Sequence, residues 1–290
     1  MIFQILNIIF PIVFITLIGL LYAKNYHISM DTTNKINLEI FIPILVFYSI
    51  SEKLPSILNL GYFSLGGVMV VFGSGVILYP ITKMMGIRPQ SFLPSMMFNN
   101  SINLGFPLAL FAFGEDALVM FISLSLVQII GQFTVAPVMY GGETKVSKIL
   151  KNPVIIATIF GLFFNYFDMH FPQVINISLK MMSQVSIPLV LFALGVRLVH
   201  VELKYWRLGL LGAILCPISG IIMALLAIYI FDYTQTQQAL IILFGALPPA
   251  VLNTIMAQQY KKDSVLVASV VAIGNIFSLI SIPIVLYFVL

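Results

Sequence analysis

Two stretches place polar side chains with chemical potential inside otherwise apolar sequence. One reads FNNSINLGFPLALFAFG over residues 98–114 and gathers Asn99, Asn100, Ser101, Asn103, Gly105 and Pro107. The other reads GALPPAVLNTIMAQQY over residues 245–260 and holds Pro248, Pro249 and Asn253. Proline inside a helix lacks a backbone donor and clashes with the preceding turn, at about 3 kcal/mol. An asparagine amide is costly to bury without partners. Each stretch should therefore unwind, and new half-helices are expected near Pro107 and near Pro249, since proline suits a first helical turn. A helix N-terminus offers about half a positive charge and several free N–H groups. Two such ends with amides beside them suit reversible binding of a carboxylate, not the breaking of a bond.

The remaining reactive residues are dispersed. Cys216, the single cysteine, sits in an apolar run, so no internal disulfide or redox motif is available. His27, His170 and His200 are far apart in loop-like sequence and lack metal-ligand spacing. Neither paired carboxylates, a histidine cluster nor an activated serine is embedded in an apolar run, so catalysis is not expected. The sequence calls for no metal and no cofactor.

The elements that must hold the two polar stretches are membrane helices. Only 8% of the 290 residues are charged and the mean hydropathy is +1.09, against about 25% charge in soluble domains. Such a chain cannot clothe itself in hydrated surface, so the lipid bilayer is its solvent. Its net charge of +4 is no nucleic-acid signal, because the basic residues sit in short loops. Apolar runs fall near 2–23, 38–51, 62–85, 90–113 and 117–140, then near 153–167, 175–198, 206–231, 237–258 and 265–290. They are continuous and not alternating, which predicts ten helices rather than a barrel. No positive residue precedes the first run, so it reads as a retained span and not a cleaved leader.

Charge sorting agrees with that count. If every run crosses, twelve basic residues face one side (Lys24, Lys35, Lys83, Arg88, Lys145, Lys148, Lys151, Arg197, Lys204, Arg207, Lys261 and Lys262) and only Lys53 and Lys180 face the other. The positive-inside rule then predicts a multi-pass protein of the plasma (inner) membrane with both termini on the non-cytoplasmic side.

The two halves echo one another. Pro11, Thr16, Gly19 and Leu20 recur as Pro153, Thr158, Gly161 and Leu162; IPILVF at 42–47 recurs as IPLVLF at 187–192; DALVM at 116–120 recurs as DSVLV at 263–267. All offsets lie between 142 and 147 residues. Five spans per repeat is an odd number, so residues 146–290 must enter the membrane opposite to residues 1–145. Inverted repeats of this kind are typical of secondary transporters. The fourth and ninth spans then correspond, and their two breaks should meet near the midplane. For one such span a proline kink with each asparagine capping a freed carbonyl would be the plainer reading; two at equivalent positions favour a substrate site. Gln128 and Asn275 occupy similar places in the fifth and tenth spans and either line the cavity or bond between helices. Arg197 and Glu39, at span ends, read as interfacial.

These residues resemble the auxin efflux carrier family. The likeness runs through FIPILVF, NNSINLGFPLALFAFGEDAL, KNPVIIATIFGLFFN, IPLVLFALGVRL and LPPAVLNTIMAQQYKKDSVLVAS. The resemblance implies an all-α fold like that of bile-acid and sodium–proton carriers: ten helices as two inverted five-helix repeats, with broken, crossing helices 4 and 9. It further implies a scaffold of helices 1, 2, 6 and 7, a transport domain of helices 3–5 and 8–10, and a homodimer through the scaffold. Bacterial members look like permeases for malate, malonate and related carboxylates. In plant members, which export auxin, a fourth-helix asparagine meets the substrate carboxylate; here the spacing to Pro107 differs and Asn99, Asn100 and Asn103 all stand in that region. The expected function is alternating-access transport of a small organic anion bound where helices 4 and 9 cross. The other candidates are a sodium-coupled organic-anion symporter of the bile-acid type, an intramembrane enzyme and a sensor. No aspartate or glutamate lies deep in a span, which disfavours coupling through a buried protonated carboxylate.

Overall fold

The computed structural model describes residues 2–26, 28–53, 57–144, 146–200 and 204–290. His27 and Lys145, named above, lie outside the described residues. Regular structure among those described is helical throughout: α1 (Ile2–Asn25), α2 (Asp31–Ile36), α3 (Ile42–Lys53), α4 (Ile57–Met84), α5 (Pro89–Met97), α6 (Phe106–Phe113) and α7 (Glu115–Met139) in the first half. The second half holds α8 (Val146–Leu150), α9 (Pro153–Tyr166), α10 (Gln173–Arg197), α11 (Trp206–Ile230), α12 (Gln235–Gly245), α13 (Leu252–Gln259) and α14 (Ser264–Val289).

Six of these, α1, α4, α7, α10, α11 and α14, are long and apolar enough to cross a bilayer. The other apolar runs are short or composite. Helix α9 has 14 residues, about 21 Å at 1.5 Å per residue, against a hydrocarbon core near 30 Å. Helices α2 and α3 are joined by a wide π-type turn at Asn37–Phe41, and a second such turn, Ser101–Gly105, leads into α6. Where helices begin, the sequence supplies the acceptor. Asn152 takes the N–H groups of Val154 (2.9 Å) and Ile155 (3.4 Å) ahead of α9, Thr234 forms a capping box with Gln237 ahead of α12, and Asp263 takes the Leu266 N–H (3.0 Å) ahead of α14.

Packing pairs one half with the other. Helix α1 lies along α10, and α9 along α3; exchanging the halves turns one pair into the other. Helix α4 packs on α11 and α7, and α11 in turn on α14. The broken segments are inserted between these: α5 against α4 and α14, and α12 against α11 and α7. Outward faces are apolar, as a lipid-facing surface must be; on α1, Phe3, Phe10 and Phe14 are exposed.

Two glycine contacts bring backbones together. A Cβ on Gly195 of α10 would strike the Thr16 carbonyl of α1, and one on Gly245 would strike the Gly220 carbonyl of α11. Neither obstacle is a movable side chain, so the helices would have to separate. Gly61 of α4, by contrast, has nothing within 4 Å of its would-be Cβ. Gly195→Ala and Gly245→Ala should each cost about 1–3 kcal/mol by overpacking, whereas Gly61→Ala should be neutral or slightly stabilising. Thermal unfolding of the purified protein in detergent checks this; equal melting temperatures for all three would contradict the close approach.

Candidate functional site

The first break begins where Phe98 leaves the helical region (φ −102°, ψ 100°) and ends where the chain re-enters a helical turn at Ser101. The α-helix α6 starts at Phe106 with Pro107 buried in its first turn, as expected, but helical bonding begins five residues earlier, at Ser101. The wide turn explains the offset: Leu104 N–H and Gly105 N–H both donate to the Asn100 carbonyl (3.1 and 3.2 Å), so helical bonding is established before the proline. The second break spans residues 246–251, and α13 resumes at Leu252, three residues after Pro249.

The breaks satisfy one another. Asn99 and Pro249 face each other in an isolated antiparallel bridge, with Asn100 N–H donating to the Pro248 carbonyl (2.7 Å) and Ala250 N–H to the Phe98 carbonyl (2.9 Å). Proline is well placed in such a bridge, since a residue without an N–H needs partners only for its carbonyl. Side-chain amides close the remaining valences. Asn99 Nδ2 donates to the Phe244 carbonyl (2.6 Å), Asn253 Nδ2 to the Phe98 carbonyl (2.9 Å), and Asn275 Nδ2 to those of Pro249 (3.1 Å) and Val271 (2.8 Å). Asn100 Nδ2 donates to Asn275 Oδ1 (2.8 Å), and Gln132 Nε2 to Asn253 Oδ1 (3.0 Å).

The residues picked out from sequence thus separate into two groups. Asn253 and Asn275 are buried and bonded through both amide atoms, and with Pro248 and Pro249 they build the bridge; none of the four lines the adjoining cavity. Pro107 does not line it either. Asn99, Asn100, Asn103 and Gln128 do. Asn103 is half-buried and makes no side-chain hydrogen bond among the described residues.

That cavity measures about 110 Å³, enough for a small molecule or a few waters. Its walls come from the first break, from Val251 and Leu252 at the head of α13, from α7, and from Asn34, Asn37 and the last turns of α10. The N–H groups of Ser101, Ile102 and Asn103 open one helical run, and those of Val251 and Leu252 precede or open another. First-turn donors have no intrahelical acceptor. Donors at two helix starts therefore lie at one cavity. Four oxygens in its lining, Asn37 Oδ1, Asn99 Oδ1, Ser101 Oγ and Gln128 Oε1, have no protein hydrogen-bond partner among the described residues. Their paired nitrogens, where present, are spent on carbonyl oxygens, which leaves the oxygens over.

Sequence reasoning passed over Asn34, Asn37, Gln132 and Arg197 as cavity residues. Arg197 is half-buried and is the charged member of the lining. One signal was present: Leu198 and Val199 follow Arg197, so apolar sequence flanks it on both sides instead of a polar loop.

Comparison with known proteins points in one direction. A family model described as membrane transport protein matches residues 138–286, just over half of the chain. Across 95% of its length the chain is 24% identical to an uncharacterized transporter of Methanocaldococcus jannaschii, covering 96% of that protein.

The two groups of asparagines should respond differently to truncation. Asn253→Ala removes bonds to Phe98 and Gln132 in a site with no exposure and should cost about 1–3 kcal/mol for each partner left unpaired. Asn103→Ala should leave the melting temperature of the unliganded protein within a degree or two of wild type. If Asn103→Ala were the more damaging of the two to thermal stability, the division between bridge and cavity residues would be wrong.

Proposed function

This chain belongs to the auxin efflux carrier family of membrane transport proteins, and on that premise we propose that it is a secondary carrier for a small organic anion. The carboxylate, of the malate or malonate kind, binds at the cavity beside the paired breaks. The observation that carries this reading is the convergence of two helix starts on one small cavity whose described lining is rich in amides and holds no acidic side chain. Each contributes about half a positive charge and unspent N–H donors, which hold an anion without the full desolvation penalty of a buried ion pair.

Ten crossings in two inverted halves are part of the same proposal. The exchange of α1·α10 for α9·α3 supports it, as does the antiparallel sense of the bridge between the breaks. Under the positive-inside rule the cavity opens to the cytoplasm, because Arg197 and Asn34 lie at the basic ends of their segments.

A second cavity supports alternating access. It measures about 220 Å³ and is lined by Leu45, Tyr48 and Ser49 of α3, Phe111 of α6, Glu115 and Leu118 of α7, and Lys180, Ser183, Gln184 and Ile187 of α10. The first cavity takes Val190, Ala193, Leu194 and Arg197 from that same helix. These positions recur every three or four residues, so one stripe of α10 walls both cavities. Only the turn between Ile187 and Val190 separates them. Lys180 and Arg197 mark the ends of the stripe, 17 residues or about 25 Å apart, close to the thickness of a bilayer core. A modest slide of the breaks against α3 and α10 closes one cavity and opens the other.

The four unpartnered oxygens favour one further reading, a sodium-coupled symporter, since amide and hydroxyl oxygens are suitable ligands for a hard cation.

Purified protein in proteoliposomes tests both. Uptake of labelled malonate or malate, and a rise in melting temperature with the same acids, are expected; Asn103→Ala should weaken binding roughly 5- to 10-fold, the scale of one lost hydrogen bond to a charged group. A carrier of this kind that neither accumulated nor was stabilised by any short carboxylate would refute the proposal. Replacing sodium by choline should leave uptake unchanged under the first reading and abolish it under the second.

A further inference from the structure

We propose that Arg197 reads a second anionic group on the substrate and so makes the cavity selective for diacids over monoacids. This rests on the carboxylate-carrier reading above and assigns a specificity role to a residue which the sequence placed at the membrane interface.

Arg197 is the last residue of α10, and α10 is clamped between α1 and α3. Its wall of the cavity is supplied by a different body from the one that supplies the breaks. The guanidinium has five N–H donors in a rigid fork suited to a carboxylate. Among the described residues none of those donors is matched by a hydrogen bond or an ion pair. The acidic group that acts on it is Asp31, which is exposed and accepts the Ser29 hydroxyl (2.8 Å) without closing an ion pair to the arginine. At that helix end Arg197 shares the cavity with Asn99, Asn103 and Gln128.

Charge balance turns this placement into a substrate preference. Two half-helix N-termini contribute about +0.5 each, so the breaks alone offset about one negative charge. With Arg197 the cavity totals about +2, the complement of a diacid. One carboxylate takes the N–H groups at Ser101–Asn103 and the other takes the fork of Arg197. A monoacid would leave the guanidinium unmatched, a costly state for a partly buried cation. Because the two carboxylates are held by different bodies, a diacid also couples the breaks to α10 while bound.

The experiment compares malonate with monomethyl malonate, nearly the same shape with one charge fewer, by binding and by competition for uptake. Wild type should prefer malonate by at least about 10-fold. Arg197→Gln should weaken malonate about 10- to 100-fold, the loss of a bidentate charged contact, while changing the monoester less than about 3-fold. Arg197→Lys, which keeps the charge but loses the fork, should fall between. Wild type that binds carboxylates without preferring the diacid overturns the Arg197 assignment alone, as does an Arg197→Gln protein that loses both ligands equally or neither. Wild type that binds neither acid overturns the carrier reading and this inference with it.

Discussion

Backbone N–H and C=O groups at membrane depth have no water to turn to, so each must find a partner within the protein. Here that requirement is met by two interruptions bonding to each other. Asn100 N–H meets the Pro248 carbonyl, Ala250 N–H meets the Phe98 carbonyl, and asparagine amides from both sides cover the carbonyls that remain. Neither break could exist alone. The surrounding architecture follows from holding them together: the glycine contact between α11 and α12 lets α12 sit close, Asn275 of α14 buttresses one break, and Gln132 of α7 steadies Asn253.

The same bonding decides what the cavity offers. The amide nitrogens of Asn37, Asn99, Asn100 and Gln132 are spent on amide carbonyls, which leaves buried, unpartnered oxygens on Asn37, Asn99, Ser101 and Gln128 among the lining residues. A cavity built this way carries a moderate positive potential from backbone dipoles. Among the described residues its lining holds no acidic side chain and one formal charge, Arg197, contributed by α10. On the function proposed above, such a lining would hold an anion without trapping it, as a carrier requires at each turn of its cycle.

The division between broken segments and continuous helices also bears on motion. The bridge welds the two breaks into one body by four inter-segment hydrogen bonds, two from backbone and two from Asn99 and Asn253. In the carrier cycle we propose, the pairs α1·α10 and α3·α9, which pack on one another through α3 and α10, act as a second body. Both cavities lie along one stripe of α10, with a single helical turn between them. The proposed slide past that stripe would leave the polar bonds of the bridge intact.

Much of this was legible in the residues. Scarce charge and continuous apolar runs determined a helical membrane protein, and the clusters FNN and ALPPA marked where helices stop. Proline by itself was a poorer guide, because Pro11, Pro80, Pro137, Pro188, Pro217 and Pro283 sit inside unbroken helices; neighbouring asparagines or a second proline distinguished the true breaks. Pro107 did mark the first turn of α6, but the wide turn formed on the Asn100 carbonyl ahead of it carried no sequence signal. Composition and local pattern depend on near neighbours in the chain, and they determined the class of structure and the position of its interruptions. Which asparagine builds and which one faces the cavity was decided only by tertiary structure. Asn99 bonds to Phe244 and Asn100 to Asn275, partners 145 and 175 residues away, and Arg197 becomes a cavity residue only because α10 packs beside the breaks. Hydropathy along a chain carries no record of which distant carbonyl a side chain will reach.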